Sequence, residues 1–240
     1  MGLSVECVLR YKSFPRAADL WSLLATTHPE RAGDMVDIGG DEIRLEDVHA
    51  EFLGTEGDDF SVEFAGGEIF FAQVANHKLA RLELSNVVTS VADADSWLSA
   101  LLVDPNFVQA RLYDHDYSYW QNATDPIQYE GSGRSMAGLP MISNGLSYPM
   151  NQDIVDISGN PGRSVLRMGY IESVGAVMWL GEGLWKTLGR PTPEWKRIAS
   201  LQVAGRPGVT RVQAASQPFT SSSGAEAELQ LALRQLIFGA

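Results

Sequence analysis

Two alternating runs, Phe60-Ser61-Val62-Glu63-Phe64 and Glu68-Ile69-Phe70-Phe71-Ala72-Gln73-Val74, flank the tripeptide Ala65-Gly66-Gly67. A period of two puts apolar side chains on one face of an extended chain, and a Gly-Gly step supplies the positive φ angles of a tight reversal. The segment therefore predicts a β-hairpin, and Leu79 to Leu84 predicts a third strand beside it. The opening run Leu3 to Arg10 alternates in the same way, with Leu3, Val5, Cys7 and Leu9 on one face. A helix is expected from Pro15 to Thr27, because proline fits a first helical turn and Ala18, Leu20, Trp21 and Leu24 share a side.

Further along, Asp93-Ala94-Asp95-Ser96 is expected to open a helix carrying Trp97, Leu98, Leu101 and Leu102. Phe107 to Tyr117 reads as a long strand. Residues 31–59 read as loops with an edge strand or a short helix. The Gly-, Pro- and Ser-rich stretch from Gln128 to Pro161 reads as irregular, with Leu139, Met141, Ile142, Leu146 and Met150 packing against the rest. In the last third, Val174 to Leu180 is a buried strand and Glu182 to Leu188 a helix. Trp195 to Leu201 reads as a continuing helix, and Gly208 to Ala214 as a strand after the turn Gly205-Arg206-Pro207-Gly208. Ala225 to Phe238 is a terminal helix with an apolar stripe of Leu229, Leu233, Leu236 and Ile237. Strands and helices intermix without strict βα alternation, so the expected class is α+β, with mixed or antiparallel sheets packed against helices. We expect a single compact domain over 1–240, with sub-lobes of about 1–127 and 162–240 as a variant of that arrangement.

The 240 residues carry a formal charge of −12, unevenly distributed. From Asp34 to Glu63 there are eleven acids and one base, Arg44, a net −10. From Arg163 to Arg211 eight bases face three acids, a net +5. Phosphate contacts need Lys and Arg, so the N-terminal half is unsuited to nucleic acid, whereas its field would steer a basic partner. The plainer role for the same acids is solubility. One cysteine, Cys7, leaves no intramolecular disulfide, and no leader-like or membrane-spanning apolar run is visible, which reads as a cytoplasmic protein.

Catalytic motifs are mostly missing. Gly181-Glu182-Gly183 starts like a dinucleotide fingerprint, but Lys186 stands where the third glycine belongs. Gly133 to Gly138 is one residue too long for a serine-hydrolase elbow. Cys7 sits on an apolar strand face without a basic neighbour in sequence. The remaining candidate is Asp114-His115-Asp116. On a strand its two carboxylates share a face and could hold a divalent cation for a metal-assisted hydrolase. The simpler reading is a polar strand end. His28, His49 and His77 are isolated. Trp21, Trp97 and Trp179 read as core, and Trp185 and Trp195 as core or interface anchors.

The C-terminal third adds a pattern: Gly175-Ala176-Val177-Met178-Trp179-Leu180-Gly181-Glu182-Gly183-Leu184-Trp185, then Pro207 to Gln213, Pro218-Phe219 and the helix Leu229 to Leu236. It resembles bacterial immunity proteins encoded beside polymorphic toxins of the restriction-endonuclease-fold class, including those delivered by type VI secretion. The resemblance covers residues 165–240 and extends loosely to the β-α start and acidic loops. It implies a protein without enzymatic activity or cofactor that neutralises a nuclease toxin by occupying its active site or blocking its assembly. The expected toxin-facing residues are Asp41, Glu42, Glu46, Asp47, Glu51, Asp58 and Asp59, joined by Asp114 and Asp116. An adaptor or chaperone for a secreted effector is the other non-enzymatic alternative.

Overall fold

The computed structural model describes residues 2–14, 16–53, 59–198 and 200–239. β1 (Leu3–Arg10) leads into α1 (Ala17–Ala25), a short hairpin of β2 (Met35–Ile38) and β3 (Asp41–Arg44), and α2 (Val48–Leu53). β4 (Phe60–Phe64), β5 (Gly67–Val74) and β6 (Leu79–Val88) form a meander, followed by α3 (Val91–Leu98). β7 (Phe107–Asp114) runs into α4 (His115–Asn122) and α5 (Pro126–Ser132). Two small pairs come next, β8 (Met141–Ser143) with β9 (Asp153–Val155) and β10 (Val165–Arg167) with β11 (Tyr170–Glu172). β12 (Val177–Gly181), α6 (Glu182–Leu188), β13 (Gln202–Arg206), β14 (Val209–Gln213) and α7 (Gly224–Phe238) complete the chain.

Ten strands join one sheet in the order β13-β14-β12-β7-β1-β6-β5-β4-β2-β3. All its pairings are antiparallel, and helices cover its faces, so the architecture is α+β. The strands of residues 177–213 extend the sheet that begins at the N-terminus, because β12 pairs with β7.

The pleat divides the residues of β1 between two cores. Val5, Cys7 and Leu9 point to one face, where α1, α2 and α3 bury Trp21, Leu24, Phe52, Trp97 and Leu98. Trp21 makes edge contacts with Phe52 and Phe60 at 5.8 Å each, and each such fully buried side chain contributes about 1.5–3 kcal/mol. Val8 points to the other face. There Val108, Met178 and Leu180 meet α6 and α7 through Leu184, Trp185, Leu233 and Ile237. On this second face the buried cluster also takes in Leu79 at the start of β6 and Val212 of β14. Among the described residues no helix is long and apolar enough to cross a membrane.

Several expectations are corrected. Residues 35–44 form a hairpin where loops were expected with at most one edge strand: Gly39 and Gly40, at φ 65° and 100°, make the reversal. Pro15, the expected helix start, lies outside the described residues. α3 begins earlier than predicted because Ser90 Oγ accepts the Asp93 N–H at 3.1 Å, while Asp93 Oδ2 accepts the Thr89 N–H. β7 stops at Asp114 and does not continue to Tyr117, since the Asp114 carboxylate accepts the Tyr117 N–H at 2.8 Å and caps α4. Trp195 to Leu201 is a single 3-10 turn at Trp195–Arg197, and the chain then enters β13. Leu139, Met141, Ile142, Leu146 and Met150 do not pack inward; all five are exposed.

Candidate functional site

The acidic segment forms the β3 end of the sheet. Asp41 and Glu42 lie on β3, Glu46 and Asp47 on the turn after it, and Glu51 on α2, all exposed. Asp59, also exposed, accepts the Gln73 N–H at 2.6 Å. Asp58 lies outside the described residues. Of these six described acids, only Glu46 has an ion pair among the described residues, with Arg44 at 3.4 Å.

Strand register aligns further acids that the sequence reading did not single out. Glu42 pairs opposite Asp37, Asp37 opposite Glu63, and Glu63 opposite Glu68. Directly opposed residues have Cβ atoms about 4.5–5.5 Å apart and share a face. Val62 and Ile69 point into the helix-covered core, so Glu63 and Glu68 point to the other side. The result is a row of four carboxylates across β3, β2, β4 and β5. None of the four has an ion pair among the described residues; Glu68 is held only by the Ser61 hydroxyl at 2.6 Å. The Glu63–Glu68 step was legible from the Gly-Gly reversal, whereas the Asp37–Glu63 contact joins strands that no local pattern pairs.

The Asp114-His115-Asp116 triplet is not a strand end with both carboxylates on one face. Asp114 is buried and occupied as a helix cap, and Asp116 is exposed in the first turn of α4. His115 turns toward a separate cleft, with Nδ1 buried and unpartnered. Among the described residues no three His, Cys, Asp or Glu side chains gather as a metal site. β7 is three strand steps from β5, the near end of the row, about 14 Å along the sheet, so neither Asp114 nor Asp116 stands beside a carboxylate of the row.

The cleft beside His115, about 370 Å³, lies where the second face emerges from under the C-terminal helices; Glu6, Arg81, Glu83, Arg111, Tyr113 and Tyr119 line it. Glu6 accepts Arg81 Nε and Arg111 Nε, each at 2.9 Å. Arg81 also meets Glu83 at 2.8 Å, and Glu83 accepts the Tyr113 hydroxyl. Burial alone would raise the Glu6 carboxyl, but the two guanidiniums outweigh it and hold it below its ordinary range. Burial and the nearby carboxylates push the Tyr113 phenol well up. The two acids and two bases cancel one another, and Arg111 is further held by Ser164 Oγ at 2.9 Å. This is a closed network that fixes β1 to β6 and β7, chemically unlike the unneutralised row beside it. Cys7 is buried under the opposite face, and its thiol is pushed up chiefly by burial. Gly181 and Gly183 are packing residues: a Cβ on Gly181 would lie 2.8 Å from the Phe107 carbonyl oxygen, and one on Gly183 3.0 Å from it. In comparisons with known proteins, the sequence matches no family model and no curated protein.

Proposed function

We propose that this chain is a cytoplasmic immunity protein that binds and neutralises a secreted bacterial nuclease toxin through the acidic end of its sheet. The observation that carries the reading is the row Glu42, Asp37, Glu63 and Glu68, flanked by exposed Asp41, Glu46, Asp47, Glu51 and Asp59. A nuclease cleft is basic because it holds phosphates, and a rigid array of carboxylates on a sheet competes for the same cations. Such complementarity acts mainly on association rate and specificity. Asp114, buried and spent as the cap of α4, is not counted with this row, and Asp116 stands three strands from its near end. No observation favours the hydrolase or the adaptor reading.

The test is the variant carrying Asp41→Lys, Glu42→Lys, Glu46→Lys and Asp47→Lys, all at exposed positions. It is co-expressed with the nuclease encoded by the neighbouring gene, and binding is followed by stopped flow at two salt concentrations. Association should slow about tenfold or more at low salt, and protection from toxicity should fall. An unchanged association rate and intact protection would remove Glu42 and the acids that flank the row on β3 and the turn after it from the interface.

A further inference from the structure

Between Arg134 and Asp153 the chain carries no charged residue, in a protein whose net charge is −12. This segment is the arm that leaves α5, forms β8, turns and returns through β9. Leu139, Met141, Ile142, Leu146, Tyr148 and Met150 lie along it, with exposures from 36% at Leu139 to 89% at Tyr148. The arm is nonetheless tied down at its base. The Asp156 N–H donates to the Pro140 carbonyl and the Val155 N–H to the Thr124 carbonyl, each at 2.8 Å. At its tip, Asn144 Oδ1 accepts the Leu146 and Gln152 N–H groups, while Asn144 Nδ2 donates to the Met150 carbonyl at 2.9 Å. An ordered apolar element loses little conformational entropy when it docks.

We infer that this arm is a self-association surface, on which the arm of a second copy of the chain packs about a two-fold axis. Area and charge both point to that occupant. At typical side-chain areas the six residues expose roughly 650 Å² per copy, so two arms laid together can remove at most roughly 1,300 Å², against the ~1,000 Å² a specific interface needs. Two copies of an acidic chain repel over most of their surfaces, and an uncharged arm lets them meet without opposing carboxylates. An isologous contact brings each apolar side chain against others of the same chemistry. The inference is independent of the toxin reading.

Sedimentation of the full chain over about 1–100 µM should give twice the 26.2 kDa chain mass at the upper end. The double variant Ile142→Ser with Met150→Glu should weaken self-association at least about 30-fold, with circular dichroism unchanged, and with melting temperature unchanged at concentrations where the parent is monomeric, because both side chains are exposed. A monomer at about 100 µM, or a dimer indifferent to the double variant, would each overturn the proposal.

Discussion

Replacing Glu6 by glutamine keeps the shape of the side chain and removes its charge. Glu6 is 3% exposed on β1, one of the two central strands of the ten-stranded sheet, and it is the anion on which Arg111 and Arg81 converge. Arg81 retains Glu83, but Arg111, with a side chain only 5% exposed, retains only neutral partners: Ser164 Oγ, Ser118 Oγ and the Val174 carbonyl. Stranding a buried charge costs about 3–5 kcal/mol. For a chain of this size each kcal/mol lowers the melting temperature by about 2–4 °C, so Glu6→Gln should melt roughly 6–20 °C lower. Glu182→Gln, which breaks the exposed Glu182–Lys186 pair, serves as the control and should cost less than about 0.5 kcal/mol. The double variant Glu6→Gln with Arg111→Met should recover much of the loss, because it removes the uncompensated charge.

The pH dependence follows from the same geometry. A carboxyl held below its ordinary value of 4.5 contributes stability that is complete above that value and is lost as pH falls through the lower folded value. Urea unfolding from pH 7 downward should therefore show the gap between the parent and Glu6→Gln narrowing below about pH 4.5. A loss under about 1 kcal/mol at pH 7, or a double variant no more stable than the single one, would refute the view that this network is closed and interdependent.

Two further outcomes test the packing. Gly181→Ala places a methyl group 2.8 Å from the Phe107 carbonyl oxygen and 2.9 Å from its ring, where backbone has to move, and should destabilise by about 1–3 kcal/mol in urea titration. Cys7, buried and with its thiol pushed up by burial, then by Glu6 and Asp104, should stay unreactive toward an aromatic disulfide reagent in the native protein and react fully in guanidinium. Rapid native labelling would show that the sheet opens there.

The elements that sequence reading recovered are those whose burial leaves a local period. The β4–β5 hairpin, α6 and α7 each repeat apolar residues at strand or helix spacing and end at glycines with positive φ, such as Gly189 after α6 and Gly239 after α7. β2 and β3 escaped because Asp and Glu fill the outward positions and only Val36, Ile38 and Ile43 reach the core. Gly39-Gly40 was the signal that remained. The arm defies a local reading for the opposite reason: its apolar side chains lie outside the chain's own core. Partners distant in sequence were not legible at all, since Glu6 meets Arg111 across 105 positions and β12 finds β7 across a stretch of loops and short strands.

The acidic row bears on whether charge in the N-terminal half serves only solubility. Carboxylates kept for solubility lie most cheaply on turns and helix ends, where water screens them and neighbours are few. Glu42, Asp37, Glu63 and Glu68 instead stand opposite one another on successive strands. Like charges in that relation destabilise a sheet by roughly 0.2–1 kcal/mol per pair, a cost that exposed acids elsewhere on the surface avoid. The neighbouring network demonstrates the alternative: Glu6 and Glu83 on the same face are each matched by an arginine. A chain able to neutralise two acids there, and leaving four others in register without an ion pair among the described residues, has the charge pattern expected where the matching cations come from a partner.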